Sequence, residues 1–219
     1  QPEGVSEASL LSPRGELMIA AEDELSTFDA YLAGAAGMER LTAEEAVELF
    51  PILRPELIAA AAIERDAMDI DVDRFLQGLM RLLRHRDGAI ITEAPVGALT
   101  RKDGIWTAET PAGSFSAPVI INAAGAWADP VAELAGARPL SITPMRRSAA
   151  LLPAPDGYTI DTWPLVASAS ERWYAKPEAG KMMVSPADET PVEPHDAWAD
   201  EMDLAEGLYR FEQAVTTPV

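Results

Sequence analysis

The 219-residue chain carries 17 Lys and Arg against 36 Asp and Glu, a formal net charge of −19. It therefore lacks the cationic surface that nucleic acid or an anionic membrane face requires. With no cysteine and two histidines, disulfides, thiolate metal centres and a cysteine nucleophile are excluded, and a zinc site is not expected. No apolar run reaches the length of a membrane helix and no signal peptide stands at Gln1, so a cytoplasmic location is expected.

Leu10 to Ala21 reads as a strand pair or extended segment punctuated by Pro13-Arg14-Gly15. Leu25, Phe28, Tyr31 and Leu32 recur at helical spacing and predict a helix over Glu22 to Gly37. Thr42-Ala43-Glu44-Glu45 is a capping box for a second helix that Pro51 stops near Phe50. Leu57 to Ile63 is apolar and predicted to be extended. The alternating aspartates of Met68 to Asp73 suggest a calcium loop, but Arg74 and Met80 stand where such a loop needs Gly and Glu. They are better read as a helix start, with Asp71 or Asp73 as cap. Val72, Phe75, Leu76, Leu79, Met80 and Leu83 then form one apolar face, and the basic residues near His85 suit the helix end.

From Ala89 the period becomes that of strands: Ala89–Pro95, Val96–Lys102, Ile105–Thr110 and Ser114–Pro118, with Asp103-Gly104 and Pro111-Ala112-Gly113 as turns. Val119 to Ile121 is a short β-branched run expected of a strand buried on both faces. Asn122 ends it, and Ala123-Ala124-Gly125-Ala126 follows with little side-chain volume, so that a backbone can approach a flat ligand closely. Asp129 and Pro130 are the expected N-cap and first helical residue, with Gly136 past the end. Strands are then predicted over Ile142–Leu152 (carrying Arg146 and Arg147), Tyr158–Ala169, Glu171–Lys176 and Lys181–Ser185. Period two places Arg172, Tyr174 and Lys176 on one face, a cation-and-phenol surface suited to a carboxylate. The acidic, Pro-rich stretch Pro186 to Glu206 leads into a helix from about Asp200.

The stretch Val119-Ile120-Ile121-Asn122-Ala123-Ala124-Gly125-Ala126-Trp127-Ala128-Asp129 resembles the flavin-contacting strand of the FAD-dependent oxidoreductases of the D-amino-acid oxidase, glycine oxidase and sarcosine oxidase superfamily. The likeness runs through Ala89 to Arg147 and more weakly to both ends. It implies an α+β fold, part of a two-domain α/β flavoenzyme. In that division 1–65 and 136–219 belong to a mixed-sheet substrate domain, and 66–135 to a partial FAD-binding domain with a β-meander. It implies that Val96, Ala124, Gly125 and Trp127 line the cofactor, while Tyr174, and with it Arg146 or Lys176, faces a small amino-acid-like substrate. The family's opening Gly-x-Gly-x-x-Gly turn is absent, since Gly34-Ala35-Ala36-Gly37 has the wrong spacing, and so is a glycine-rich C-terminal segment. The expectation is a fragment of a longer flavoenzyme, with weak or no FAD affinity of its own and no activity alone. The implied reaction is hydride transfer from the substrate α-carbon to flavin, oxidising a C–N bond. A hydroxy acid or polyol phosphate as substrate, and a non-catalytic acidic interaction domain, are the alternatives.

Overall fold

The computed structural model describes residues 3–196 and 198–218. The first strands, β1 (Leu11–Pro13) and β2 (Glu16–Ala20), are separated by the turn at Gly15 but enter different sheets. A 3₁₀ turn over Glu22–Glu24 precedes α1 (Leu25–Gly34), and the chain then forms β3 (Met38–Leu41), a strand absent from the sequence reading. The capping box forms as expected on α2 (Ala43–Leu49): the Thr42 hydroxyl accepts from the Glu45 amide at 3.2 Å, and the Thr42 amide donates to the Glu45 carboxylate at 2.8 Å. β4 (Ala60–Glu64) is followed by β5 (Met68–Ile70), which pairs with β1, and then by α3 (Val72–His85), capped by Asp71. Gly78 lets α3 lie against the Val5 backbone, where a Cβ would stand 2.2 Å from the Val5 carbonyl oxygen.

β6 (Ala98–Lys102), β7 (Ile105–Thr110) and β8 (Gly113–Ala117) form a three-stranded antiparallel meander. Asp103 and Gly104, both at positive φ, make its tight first turn. The sequence reading needs two corrections here. Residues 89–95 form no strand, and Val119–Ile121 pairs with nothing, leaving Val119 68% and Ile121 85% exposed. A β-branched run becomes a buried strand only where neighbours supply both hydrogen bonds and cover, and the described residues place none there. α4 (Ala128–Leu134) begins one residue before Asp129, and Gly136 ends it at positive φ.

The last third adds β9 (Met145–Arg146), β10 (Ala150–Pro153), β11 (Leu165–Ser168), β12 (Tyr174–Glu178), β13 (Lys181–Ser185), β14 (Thr190–Pro191) and α5 (Glu201–Ala214). Asp200 caps α5 through its carboxylate. The long strand expected over Tyr158–Ala169 is confined to β11. Arg14 holds the preceding loop through the Asp161 and Trp163 carbonyls.

These elements build a seven-stranded sheet in the order β10-β13-β12-β11-β2-β4-β3, in which β11 and β2 are the parallel pair. Strand alternation splits its residues between two faces. On one face Leu17, Ile19, Ile63, Val166 and Val184 pack with Phe50 beyond α2, Phe211 of α5, Trp163 and Trp173. Phe50 and Trp163 ring centroids lie 4.6 Å apart, and each large side chain buried here contributes about 1.5–3 kcal/mol. On the other face, Phe28 of α1 packs in a smaller cluster with Met18, Ala20, Ala62 and Ala169, flanked by Leu32, Met38 and Ala60. The β11–β12 part of that face is left partly open and carries a cavity. The architecture is mixed α/β, with a large mixed sheet and five helices among the described residues.

Candidate substrate and cofactor site

The open face holds a cavity of about 300 Å³. Its floor comes from alternate positions of adjacent strands: Glu16 and Met18 of β2, Leu165 and Ala167 of β11, and Tyr174 of β12. The register aligns Tyr174 with Ala167 and Ala167 with Met18, so a small side chain sits between two larger ones and forms the hollow. Tyr31 of α1, Arg147 and Glu171 stand on its wall with Ser168, Trp173 and Ala187. Arg147 makes an ion pair of 2.7 Å with Glu189, both side chains substantially exposed. Such a pair contributes about 0–1 kcal/mol, which leaves the guanidinium free to exchange its partner for a ligand carboxylate.

The adjacent Arg146 has a different environment. Its guanidinium meets Asp188 at 3.3 Å, Asp200 at 3.8 Å and Asp203, and it does not line the cavity. Burial alone would raise the Asp188 carboxyl, but the Ser148 amide and hydroxyl and the Arg146 guanidinium outweigh it and hold Asp188 below the usual range. Lys176 shares the Tyr174 face by register yet is tied to Asp69 at 3.1 Å and Glu178 at 2.9 Å. Asp69 also accepts from Arg14 at 2.7 Å. Burial opposes its ionisation, and the two cations overcome that and lower its pKa. Arg172 precedes β12 and binds Asp23 and the buried Glu24. Of the three residues expected to face substrate, the structure brings Tyr174 to the cavity and places Arg146 and Lys176 in ion-pair networks beside it.

On the other part of the chain, Asn122 organises the small-residue turn. Its side chain accepts from the Ala124 amide at 3.2 Å and donates to the Ala128 carbonyl at 2.7 Å. Gly125 sits at φ +56°, in the left-handed region, and a Cβ built on it would meet nothing within 4 Å. Asp129, expected as a cap, instead accepts from the Leu140 and Ile142 amides at 2.8 and 2.9 Å and pins the segment beyond α4. Trp127 is partly exposed beside the turn, and Val96 is an exposed residue just before β6. An open turn of small residues beside an exposed indole fits the flat wall of a large aromatic ligand. It supplies no convergent set of amides of the kind that holds a pyrophosphate.

Over residues 5–217 the chain matches the family described as FAD dependent oxidoreductase. It belongs to that family. Within it, the chain is 35% identical over 94 residues to human mitochondrial dimethylglycine dehydrogenase, a stretch that is 42% of this chain and 11% of that protein. Among solved structures it resembles L-alpha-glycerophosphate oxidase of Mycoplasma pneumoniae with FAD bound (TM-score 0.77, 20% identity, 94% of this chain and 57% of that one). It also resembles glycine oxidase of Geobacillus kaustophilus (TM-score 0.75, 21% identity, 94% and 55%). The chain thus spans a little over half the length of these two solved structures and about a tenth of dimethylglycine dehydrogenase. No helix among the described residues is long and apolar enough to cross a membrane.

Of the residues that line the cavity the sequence reading assigned Tyr174 alone, and two charged ones that it did not assign are Arg147 and Glu16. Arg147 is separated from Arg146 only by alternation at the edge of a two-residue strand, where local pattern does not decide which side chain turns inward. Glu16 begins an apolar strand, and only the strand order brings it to the same cavity as Tyr174.

Proposed function

We propose that this chain forms the substrate side, and part of the cofactor side, of a flavoenzyme that oxidises the C–N bond of a small amine-bearing carboxylate. In this reading 1–65 and 136–219 hold the substrate and 66–135 contributes to the FAD wall through Val96, Ala124, Gly125 and Trp127. The observation that carries it is the substrate-sized cavity on the open sheet face, with Tyr174 and the exchangeable Arg147 on its wall. Bound FAD supplies the hydride acceptor. Arg147 and the Tyr174 hydroxyl bind the substrate carboxylate by charge-assisted hydrogen bonds and so orient the α-carbon. The apolar floor of Met18, Leu165 and Ala167 excludes water from the reacting bond. Arg146 acts at one remove: with Asp188 it fixes the backbone that carries Arg147.

The likeness to dimethylglycine dehydrogenase favours an amine over an alcohol substrate. The test is turnover by the flavin-loaded whole protein with a dye acceptor. Amine-bearing carboxylates are expected to reduce the dye, whereas hydroxy acids and glycerol 3-phosphate are not; the reverse preference would establish the polyol reading. Arg147→Met is expected to raise KM about tenfold to a hundredfold, the worth of one charged hydrogen bond. Tyr174→Phe is expected to lower kcat/KM, and unchanged kinetics in both variants would remove the site assignment. For the 219-residue chain itself, a desalted sample is expected to show no visible flavin band, and a retained band would show that the turn at Gly125 suffices to hold FAD.

A further inference from the structure

Two carboxylates, Glu16 and Glu171, line the cavity together with Arg147. Glu16 stands on the floor, half-buried on β2, and among the described residues no cation pairs with it. Arg147 adjoins β13, whose Ser185 hydroxyl donates to the Ser148 carbonyl at 2.6 Å. From β13 through β12 and β11 to β2 is three strand steps, about 14 Å at the usual strand spacing. Arg147 and Glu16, side chains of opposite charge, thus line one small hollow, the first from beside β13 and the second from β2. A ligand that reaches Arg147 with its carboxylate presents its far end to Glu16.

We infer that Glu16 determines specificity, selecting amine-bearing carboxylates whose distal end carries a second cationic group. The inference rests on reading this cavity as the substrate site. The partner of Glu16 is a distal cation and not the reacting amine, for a chemical reason. The α-nitrogen must lose its proton before its lone pair can assist departure of the α-hydride, and an adjacent carboxylate would hold that proton on. A distal ammonium or guanidinium has no such conflict. Burial first, and then the nearby carboxylates of Glu64 and Glu171, push the Glu16 carboxyl above the usual range. Its charged form is thus poorly compensated by the chain's own groups, and a ligand cation relieves that cost. Because Glu16 is on a central strand, its position is fixed more firmly than a loop residue's.

The experiment is calorimetric titration of the flavin-loaded whole protein, without oxygen or dye acceptor, with two achiral probes, 5-aminopentanoate and pentanoate. The protein is expected to bind 5-aminopentanoate about tenfold more tightly. Glu16→Gln is expected to abolish that ratio while leaving pentanoate affinity within about twofold, and Arg147→Met to weaken both probes together. If pentanoate binds and responds to Arg147→Met but the ratio is near one, or survives in Glu16→Gln, the inference about Glu16 is overturned and the cavity reading stands. If neither probe binds, or Arg147→Met changes nothing, the cavity reading falls and the inference with it.

Discussion

The two parts of this molecule solve the burial problem differently. The seven-stranded sheet has an apolar face closed by its own chain: α2, α5 and the Trp163 loop cover it, and Phe50, Phe211, Leu17 and Val166 are all but fully buried. Between residues 64 and 147, by contrast, Gly78 alone is buried. There α3 exposes Val72, Leu76, Leu79 and Leu83, and the unpaired run at Val119 and Ile121 lies open. Both regions have the sequence periodicity of packed elements. The difference teaches that an amphipathic pattern records a need for cover, and that the cover comes from wherever the complete fold provides it.

The largest expected contrast is in amide hydrogen exchange. Amides of β2, β11 and β12 are expected to exchange at least about a thousandfold more slowly than those of residues 119–124, since ladder amides open only with the sheet. Equal protection would mean that the Val119 run pairs in solution. Next is Phe211→Ala, which removes the edge-on partner of Trp173, 5.2 Å away, and is expected to cost about 3–5 kcal/mol in a urea titration. Leu79→Ser on α3 is expected to cost under about 0.5 kcal/mol in the same measurement and to reduce binding of a hydrophobic dye. A cost comparable to that of Phe211→Ala would break the comparison between the two regions.

The acid limb sharpens it further. Asp69 and Asp188 both have folded pKa values below the ordinary 3.8, so the unfolded chain binds more protons than the native one as pH falls. Their contribution is present above about that ordinary value and is lost as pH falls through the folded values. Acid is therefore expected to loosen the tie of β5 to β12 and that of Arg146 and Ser148 to Asp188 beyond β13, and Asp69→Asn to flatten the pH dependence of melting. Glu16 has the opposite sign: its raised folded pKa lowers stability once the pH exceeds 4.5. Glu16→Gln should therefore melt higher than the unsubstituted chain at neutral pH and no higher near pH 4, the smallest effect of the set.

Much of the local structure was legible in the residues themselves. Thr42 with Glu45, Asp71 before Val72 and Asp200 before Glu201 each mark a helix start, because capping is settled within four residues. The Asp103-Gly104 turn and the strand at Lys181–Ser185 follow from equally short-range rules. The family resemblance was carried by the Val119 to Asp129 stretch, whose turn of small residues reflects backbone demands that restrict side-chain size. Less legible were β3, whose pairing with β4 depends on a neighbour outside its own sequence, and the fate of Val119–Ile121, which depends on cover.

For the site, the sequence determined that Tyr174 stands on a strand face with an alternating pattern, and that two arginines lie together at positions 146 and 147. Only the tertiary structure decided that Asp188, Asp200 and Asp203 occupy the first arginine while the second faces the hollow. It alone placed Glu16 across from Tyr174, two strands away. Periodicity along a strand fixes which residues share a face. Which strands are neighbours is fixed by long-range packing, and the chemistry of this cavity is assembled across strands.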